Sequence, residues 1–183
     1  MTGTIRINRA PVLTLWAAIV AERFGFDRDA ALTLGRAVSS LNATRKPASR
    51  KDADATMVAV GGDRLATTRQ SEPVALLGFF VPVLMTADGW RAVSDGQPIS
   101  PQAVETHLRR KFGHRLGDAR AAMTGLATSM PVEELTRRAF GLYEQFRPNP
   151  PAGTRRLGVP GDLDLARLQA LTHIPSRSDQ EVP

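Results

Sequence analysis

Two amphipathic segments follow one another between residues 12 and 41, with only a short junction around Gly25 between them. Both segments carry apolar residues three and four positions apart, the spacing that places side chains on one face of a helix. Pro11 suits a first helical position, and Asp27 suits the N-cap of a second helix that ends between residues 39 and 42. Helices joined this closely pack at a steep angle, so the pattern predicts a tightly connected helical pair.

From residue 57 to residue 99 the hydrophobic pattern changes to short runs separated by turns that contain glycine and aspartate. Short runs with such turns are typical of strands in a small antiparallel sheet or hairpin. The predicted strands cover residues 57–60, 64–68, 72–78, 81–86 and 90–93.

Helical spacing returns after a strong helix start, with Ser100 as N-cap and Pro101 as the first helical residue. Near the C-terminus, Asp162 or Asp164 is placed to cap a short helix rich in leucine. The two helices predicted between these points cover residues 116–128 and 132–146.

The patterns together predict a single α+β domain over residues 1–174. We expect the first ten residues to form a polar lead-in without an element of their own, and residues 175–183 to form a flexible tail. The three portions of the domain are a basic portion with the helical pair (1–56), a small β region (57–99) and a helical portion (100–174).

Positive charge is concentrated at the start of the chain. The net charge is +6, and residues 1–52 contain 9 Lys and Arg against 4 Asp and Glu, which leaves the remainder close to neutral. Such asymmetry favours a polyanion or an acidic surface as partner. Arginine-rich proteins without a nucleic-acid role are also common, so the charge alone leaves both interpretations open.

Several classes of protein lack support in the sequence. There is no cysteine, which excludes disulfides and thiolate metal sites and fits a reducing cytoplasm. No serine-nucleophile motif, phosphate-binding loop or pair of metal-ligand histidines is present, so we expect a non-enzymatic protein without metal or cofactor. No stretch approaches the length of a membrane span, and we expect a cytoplasmic protein that does not contact a membrane.

The helical pair has a small residue in its first helix, Ala21, and a turn glycine four residues later, Gly25. Ala31 and Leu34 follow as apolar anchors inside the second helix. In this spacing the pair resembles helix-turn-helix DNA-binding domains. The resemblance implies a DNA-binding protein of the kind that regulates transcription. It also implies that the second helix exposes three residues to base edges or phosphates: Arg28, Thr33 and Arg36.

A polar segment after the helical pair carries four further positive charges. A basic arm beside a recognition helix can follow phosphates or enter a minor groove of double-stranded DNA. The predicted hairpin at 81–93, with Arg91 near its tip, would serve as a wing, and recognition of half-sites would favour a homodimer. The arm residues predicted to contact DNA are Arg45, Lys46, Arg50 and Lys51.

Three residues of the second helix favour a different function. Asp27 and Asp29 lie near the helix end that would approach DNA, where carboxylates repel phosphate. Leu32 is expected to point outward, which suits a helix packed on both sides. The alternative prediction is therefore a protein-interaction or assembly module whose helical pair packs on a partner or on a second copy, without nucleic acid.

Overall fold

The computed structural model describes residues 3–45, 70–153 and 159–173. Within these ranges the chain is α+β, as predicted: a helical pair precedes a small antiparallel sheet, and further helices follow. The predicted strands at 57–60 and 64–68 lie outside the described residues. In chain order the elements are β1 (Thr4–Ile7), α1 (Arg9–Arg23), α2 (Arg28–Thr44), β2 (Gln70–Leu76), β3 (Phe79–Thr86), β4 (Gly89–Ser94), β5 (Gln97–Pro98), α3 (Pro101–Phe112), α4 (Leu116–Thr128), α5 (Val132–Phe146), β6 (Gly161–Asp164) and α6 (Leu165–Leu171).

Helix α1 forms the centre of the hydrophobic core. Every residue from 11 to 21 is buried, because α2, α3, α4 and α5 all pack against this helix. Trp16 anchors the contact with α5: its indole Nε1 donates to the carbonyl oxygen of Ala139 at 2.8 Å, and its ring meets that of Phe146 edge to face. A helix that is apolar on all sides is stable here because it is covered on all sides.

Glycine performs two separate tasks in the helical pair. Gly25 turns the chain after α1 with a φ of 100°, a backbone conformation that glycine adopts without steric cost. The N–H of Phe26 then donates to the carbonyl oxygen of Ala21 at 3.1 Å, which satisfies an orphan carbonyl at the helix end. Gly35 sets the distance between the helices, because a Cβ at this position would overlap the carbonyl oxygen of Thr14.

The main sheet is antiparallel, with strand order β2-β3-β4-β5, and α2 packs against β4. Its central strand β3 alternates as a half-buried strand should: Phe79, Val81 and Val83 are buried, whereas Phe80 is 73% exposed. The turn between β3 and β4 falls at residues 87–88, in agreement with the turn predicted there. The sheet therefore presents one face to the core and one to solvent.

A second sheet, which the sequence patterns did not predict, joins the two ends of the described chain. Strand β1 pairs antiparallel with β6, with Ile5 opposite Leu163, and both side chains are buried. The prediction of a polar lead-in over the first ten residues is therefore wrong. Ile5 and Ile7 face the core while Thr4 and Arg6 face outward, an alternation too short to be recognised without the partner strand.

The starts of α3 and α6 are capped as predicted. Ser100 Oγ accepts the N–H of Ala103 at 3.3 Å, and Asp164 Oδ1 accepts the N–H of Ala166 at 2.9 Å. Both contacts satisfy backbone donors that a helix start leaves unpaired. The helical pair is longer than predicted, because α1 begins at Arg9 and α2 ends at Thr44.

Candidate nucleic-acid interface

The three residues predicted to contact DNA from α2 do not share a surface. Arg28 and Arg36 are exposed, whereas Thr33 is fully buried. Thr33 Oγ1 accepts the N–H of Ala92 at 3.0 Å and donates to the carbonyl oxygen of Ala30 at 2.8 Å. The prediction that α2 exposes Thr33 to DNA is wrong, because strand β4 covers that side of the helix.

Leu32, which was expected to point outward, is also buried, with 2% of its surface exposed. Helix α2 packs against α1, against β4 and against α3. Between residues 30 and 39, Arg36 is the single exposed residue. The outward contact proposed for Leu32 is therefore wrong, and α2 offers a partner only a narrow strip.

The basic arm is described only at its first residue. Arg45 is exposed at the C-terminal end of α2, and its guanidinium carbon lies 5.4 Å from the ring centroid of Phe79 on β3. This distance is that of a cation–π contact, which holds the start of the arm beside the sheet. The other predicted arm residues lie outside the described residues: Lys46, Arg50 and Lys51.

Arg91, predicted near the tip of a DNA-contacting wing, is only 6% exposed. Its Nη1 donates to the carbonyl oxygen of Trp90 at 2.8 Å, and its Nη2 donates to the carbonyl oxygen of Asp88 at 3.0 Å. The side chain folds back on its own hairpin because these carbonyl groups accept from it. The prediction that Arg91 lies near the tip of a wing is therefore wrong, because its side chain is buried along the hairpin.

A cluster of basic side chains lies where α3 packs beside α2. His107, Arg110 and Lys111 are three and four positions apart and therefore share one face of α3. Arg36 of α2 is close enough to His107 to influence its pKa. We call these four residues, Arg36, His107, Arg110 and Lys111, the basic face. The sequence shows the cations of α3, but their proximity to Arg36 depends on helix packing that no local pattern reveals.

The pKa of His107 reflects both its burial and the cations around it. Burial lowers the pKa of His107 most, and the charges of Arg36, Lys111 and Arg110 lower it further. Protonation of His107 is thus disfavoured by its neighbours.

The cations around the basic face divide into paired and unpaired groups. Glu105 accepts from Arg28 at 3.0 Å and from Arg109 at 2.9 Å, so one carboxylate serves both of these arginines. Within the ranges 3–45, 70–153 and 159–173, Arg36, Arg110 and Lys111 make no ion pair. In the part of the chain that the structure describes, no carboxylate therefore compensates the positive charge of these three exposed side chains.

No protein-family model, curated protein or solved structure matches this chain. Among the described residues, no group of three or more histidine or acidic side chains could hold a metal ion, and no helix is long and apolar enough to cross a membrane. The resemblance to helix-turn-helix domains stays a prediction.

Proposed function

We propose that this protein binds duplex DNA without catalysis, by holding the phosphate backbone on the basic face. The observation that carries the proposal is the group of cations on α2 and α3 that no carboxylate of the described residues neutralises. Phosphates placed there would release condensed counterions, which is the main source of affinity in sequence-independent DNA binding. A cytoplasmic location and a part in transcription regulation belong to the same hypothesis.

The proposed contact is with phosphates and not with base edges. A recognition helix lies in the major groove and exposes several residues to the bases. Helix α2 exposes only Arg36 between residues 30 and 39. Gln102 and Thr106 line a shallow groove on α3 together with His107 and Arg110, and they supply amide and hydroxyl groups for further phosphate hydrogen bonds.

Duplex DNA fits the basic face better than a single strand does. Proteins that hold single strands stack bases on aromatic side chains. In the described residues, the exposed aromatic side chains Phe80 and Trp90 lie on β3 and β4, and α3 exposes none. We expect sequence-independent binding, with a Kd of roughly 10⁻⁴ to 10⁻⁶ M at physiological salt.

The test is fluorescence anisotropy with a short labelled duplex across a salt series. We compare the wild-type protein with the triple variant R36Q/R110Q/K111Q. Removal of three phosphate contacts should lower the slope of log affinity against log salt by about 3. The matched control R6Q/R137Q/R167Q removes the same charge from β1, α5 and α6, and it should keep nearly the wild-type slope. Absence of duplex binding at low salt, or an equal loss in both variants, would overturn the proposal.

A second candidate function, association with another protein molecule, is favoured by the apolar surface of the β3–β4 hairpin. Phe80 is 73% exposed, Met85 49% and Trp90 36%. Met85 and Trp90 lie opposite each other in the strand register, whereas Phe80 projects from the other face of β3. Light scattering over a range of concentrations tests for a homodimer. A dimer that Phe80→Ser converts to monomer supports this candidate, and a monomer throughout excludes self-association.

A further inference from the structure

A cavity of about 570 Å³ lies between the N-terminal half of α2 and the main sheet. This volume falls in the range of small-molecule sites. Ala30 and Leu34 form the wall on the side of α2, and Val83 and Trp90 form the wall on the side of the sheet. Because these side chains are apolar, the greater part of a matching ligand would also be apolar.

Arg91 brings a positive charge to this largely apolar cavity. Its two hydrogen bonds to backbone carbonyl oxygens, those of Trp90 and Asp88, hold the guanidinium in place without neutralising it. Among the described residues, Asp29 forms an ion pair with this guanidinium: its Oδ2 lies 3.8 Å from Nη2, a distance too long for a hydrogen bond. The Asp29 side chain is also half exposed and therefore hydrated. A half-exposed partner compensates only part of the charge of this nearly buried guanidinium, which can therefore still attract an incoming anion.

We propose that this cavity binds an amphiphilic monocarboxylate, with the carboxylate on Arg91 and the apolar chain against Leu34, Val83 and Trp90. One negative charge suits the site better than two. Glu72 lines the same cavity from an exposed position, and Asp29 lies beside Arg91. Both carboxylates would repel a second negative charge on the ligand. This site is separate from the basic face, so the proposal does not depend on DNA binding.

The first test compares three probes of equal chain length on the wild-type protein: octanoate, octan-1-ol and octylamine. The chain has two tryptophans, of which Trp16 is fully buried and Trp90 lines the cavity. Octanoate should therefore change the fluorescence of the wild-type protein but not that of Trp90→Phe. It should also shift the Arg91 Nε–Hε resonance in a ¹H–¹⁵N spectrum. We expect octanol to bind about tenfold more weakly, because a charge-assisted hydrogen bond is lost.

The second test removes the charge with Arg91→Gln. The matched control is Arg137→Gln, at an exposed side chain of α5. Arg91→Gln should weaken octanoate binding about tenfold, whereas the affinity for octanol stays within about twofold. Circular dichroism shows whether the variant folds. If it does not fold, the test of the carboxylate contact is whether octanoate shifts the Arg91 Nε–Hε resonance of the wild-type protein.

Four outcomes would overturn the monocarboxylate proposal. They are no saturable binding of any probe, equal affinity for octanoate and octanol, tightest binding of octylamine, and saturable octanoate binding that leaves the Arg91 resonance unmoved.

Discussion

Two strips of α2 differ in what surrounds them. The buried strip is wide and includes Thr33, which faces β4, and Gly35, which faces α1. The exposed strip carries Arg28 and Arg36 at the solvent boundary beside α3. The buried strip is held by a close helix crossing and by a hydrogen bond to β4. The exposed strip carries charges with little packing. The residue spacing of α2 is thus typical of a helix that reads DNA, but most of its side chains pack inside this protein. The charged residues at the surface lie where α2 meets α3.

The largest expected effect comes from filling the helix crossing with Gly35→Ala. A Cβ would overlap the Thr14 carbonyl oxygen and lie 2.9 Å from the Ala18 nitrogen, so α1 and α2 must move apart. We expect the free energy of unfolding in urea to fall by about 3 kcal/mol.

Gly125→Ala is the matched control for the helix crossing. Gly125 lies within α4, is exposed, and has open space around the position of a Cβ. This substitution should stabilise the protein by about 0.5–1 kcal/mol, because alanine loses less backbone entropy on folding. If Gly35→Ala left the free energy of unfolding unchanged, α1 and α2 would have to lie farther apart than the structure places them.

Thr33→Val separates a structural role of this residue from a DNA-reading role. Without the hydroxyl, the buried N–H of Ala92 loses its acceptor, which should lower the free energy of unfolding by about 1–3 kcal/mol. DNA affinity should not change. Thr136→Val, at an exposed hydroxyl that bonds only to the carbonyl oxygen of Val132, should change stability by less than about 0.5 kcal/mol. If Thr33→Val folds but loses affinity for DNA, the hypothesis that Thr33 contacts DNA directly would be supported instead.

Glu105→Gln should strengthen DNA binding by releasing two cations beside the basic face. Glu105 holds Arg28 and Arg109, both of which would become available to phosphates. We expect the salt slope to steepen by about 1–2, with a stability change below about 1 kcal/mol because the ion pairs are exposed. Glu133→Gln on α5 makes the same change in net charge away from the basic face. Equal strengthening by both variants would argue against a local contact.

The smallest expected effect is a dependence of DNA affinity on pH. Burial and then Arg36, Lys111 and Arg110 hold the pKa of His107 below 6.5 in the free protein. Bound phosphate would favour the protonated imidazole, so binding takes up a proton and the affinity should rise as pH falls from about 8 to about 6. His107→Gln should remove this dependence, as measured by anisotropy at constant ionic strength.

Stability should change with pH in the opposite direction. Because the pKa of His107 is lowered on folding, the unfolded chain binds more protons below about 6.5. The folded state therefore loses stability as pH falls through that region. Urea unfolding of wild type and His107→Gln over the same pH range measures how much His107 contributes to this dependence. Identical pH profiles for the two proteins would show that His107 contributes nothing.

The sequence predicts most elements of the fold because their signals are local. Ser100 and Asp164 cap helices, Gly25 turns the chain after α1, and alternation marks β3. The pairing of β1 with β6 is not local: Thr4 lies opposite Asp164, and four residues are too few to show a periodic pattern. Such contacts depend on the whole fold.

The candidate site was harder to predict for a different reason. Helix α2 is buried around most of its circumference, by polar residues such as Thr33 and Ser39 as well as by apolar ones, so periodicity does not determine which side reaches solvent. Arg36 was placed correctly at the surface, whereas Thr33 satisfies a buried N–H of the sheet. The proximity of Arg36 to His107 arises from the packing of α2 on α3, two helices separated in sequence by the β region.

The most direct test of the basic face is a titration of ¹⁵N-labelled protein with duplex DNA at low salt, followed by ¹H–¹⁵N spectra. We predict that the largest shifts fall on the amides of Arg36, His107, Arg110 and Lys111. The amides of Thr33 and Ala92 should stay nearly unchanged, because they lie in the core. No shifts at low salt, or largest shifts on Thr33 and its neighbours in the buried strip, would contradict the account.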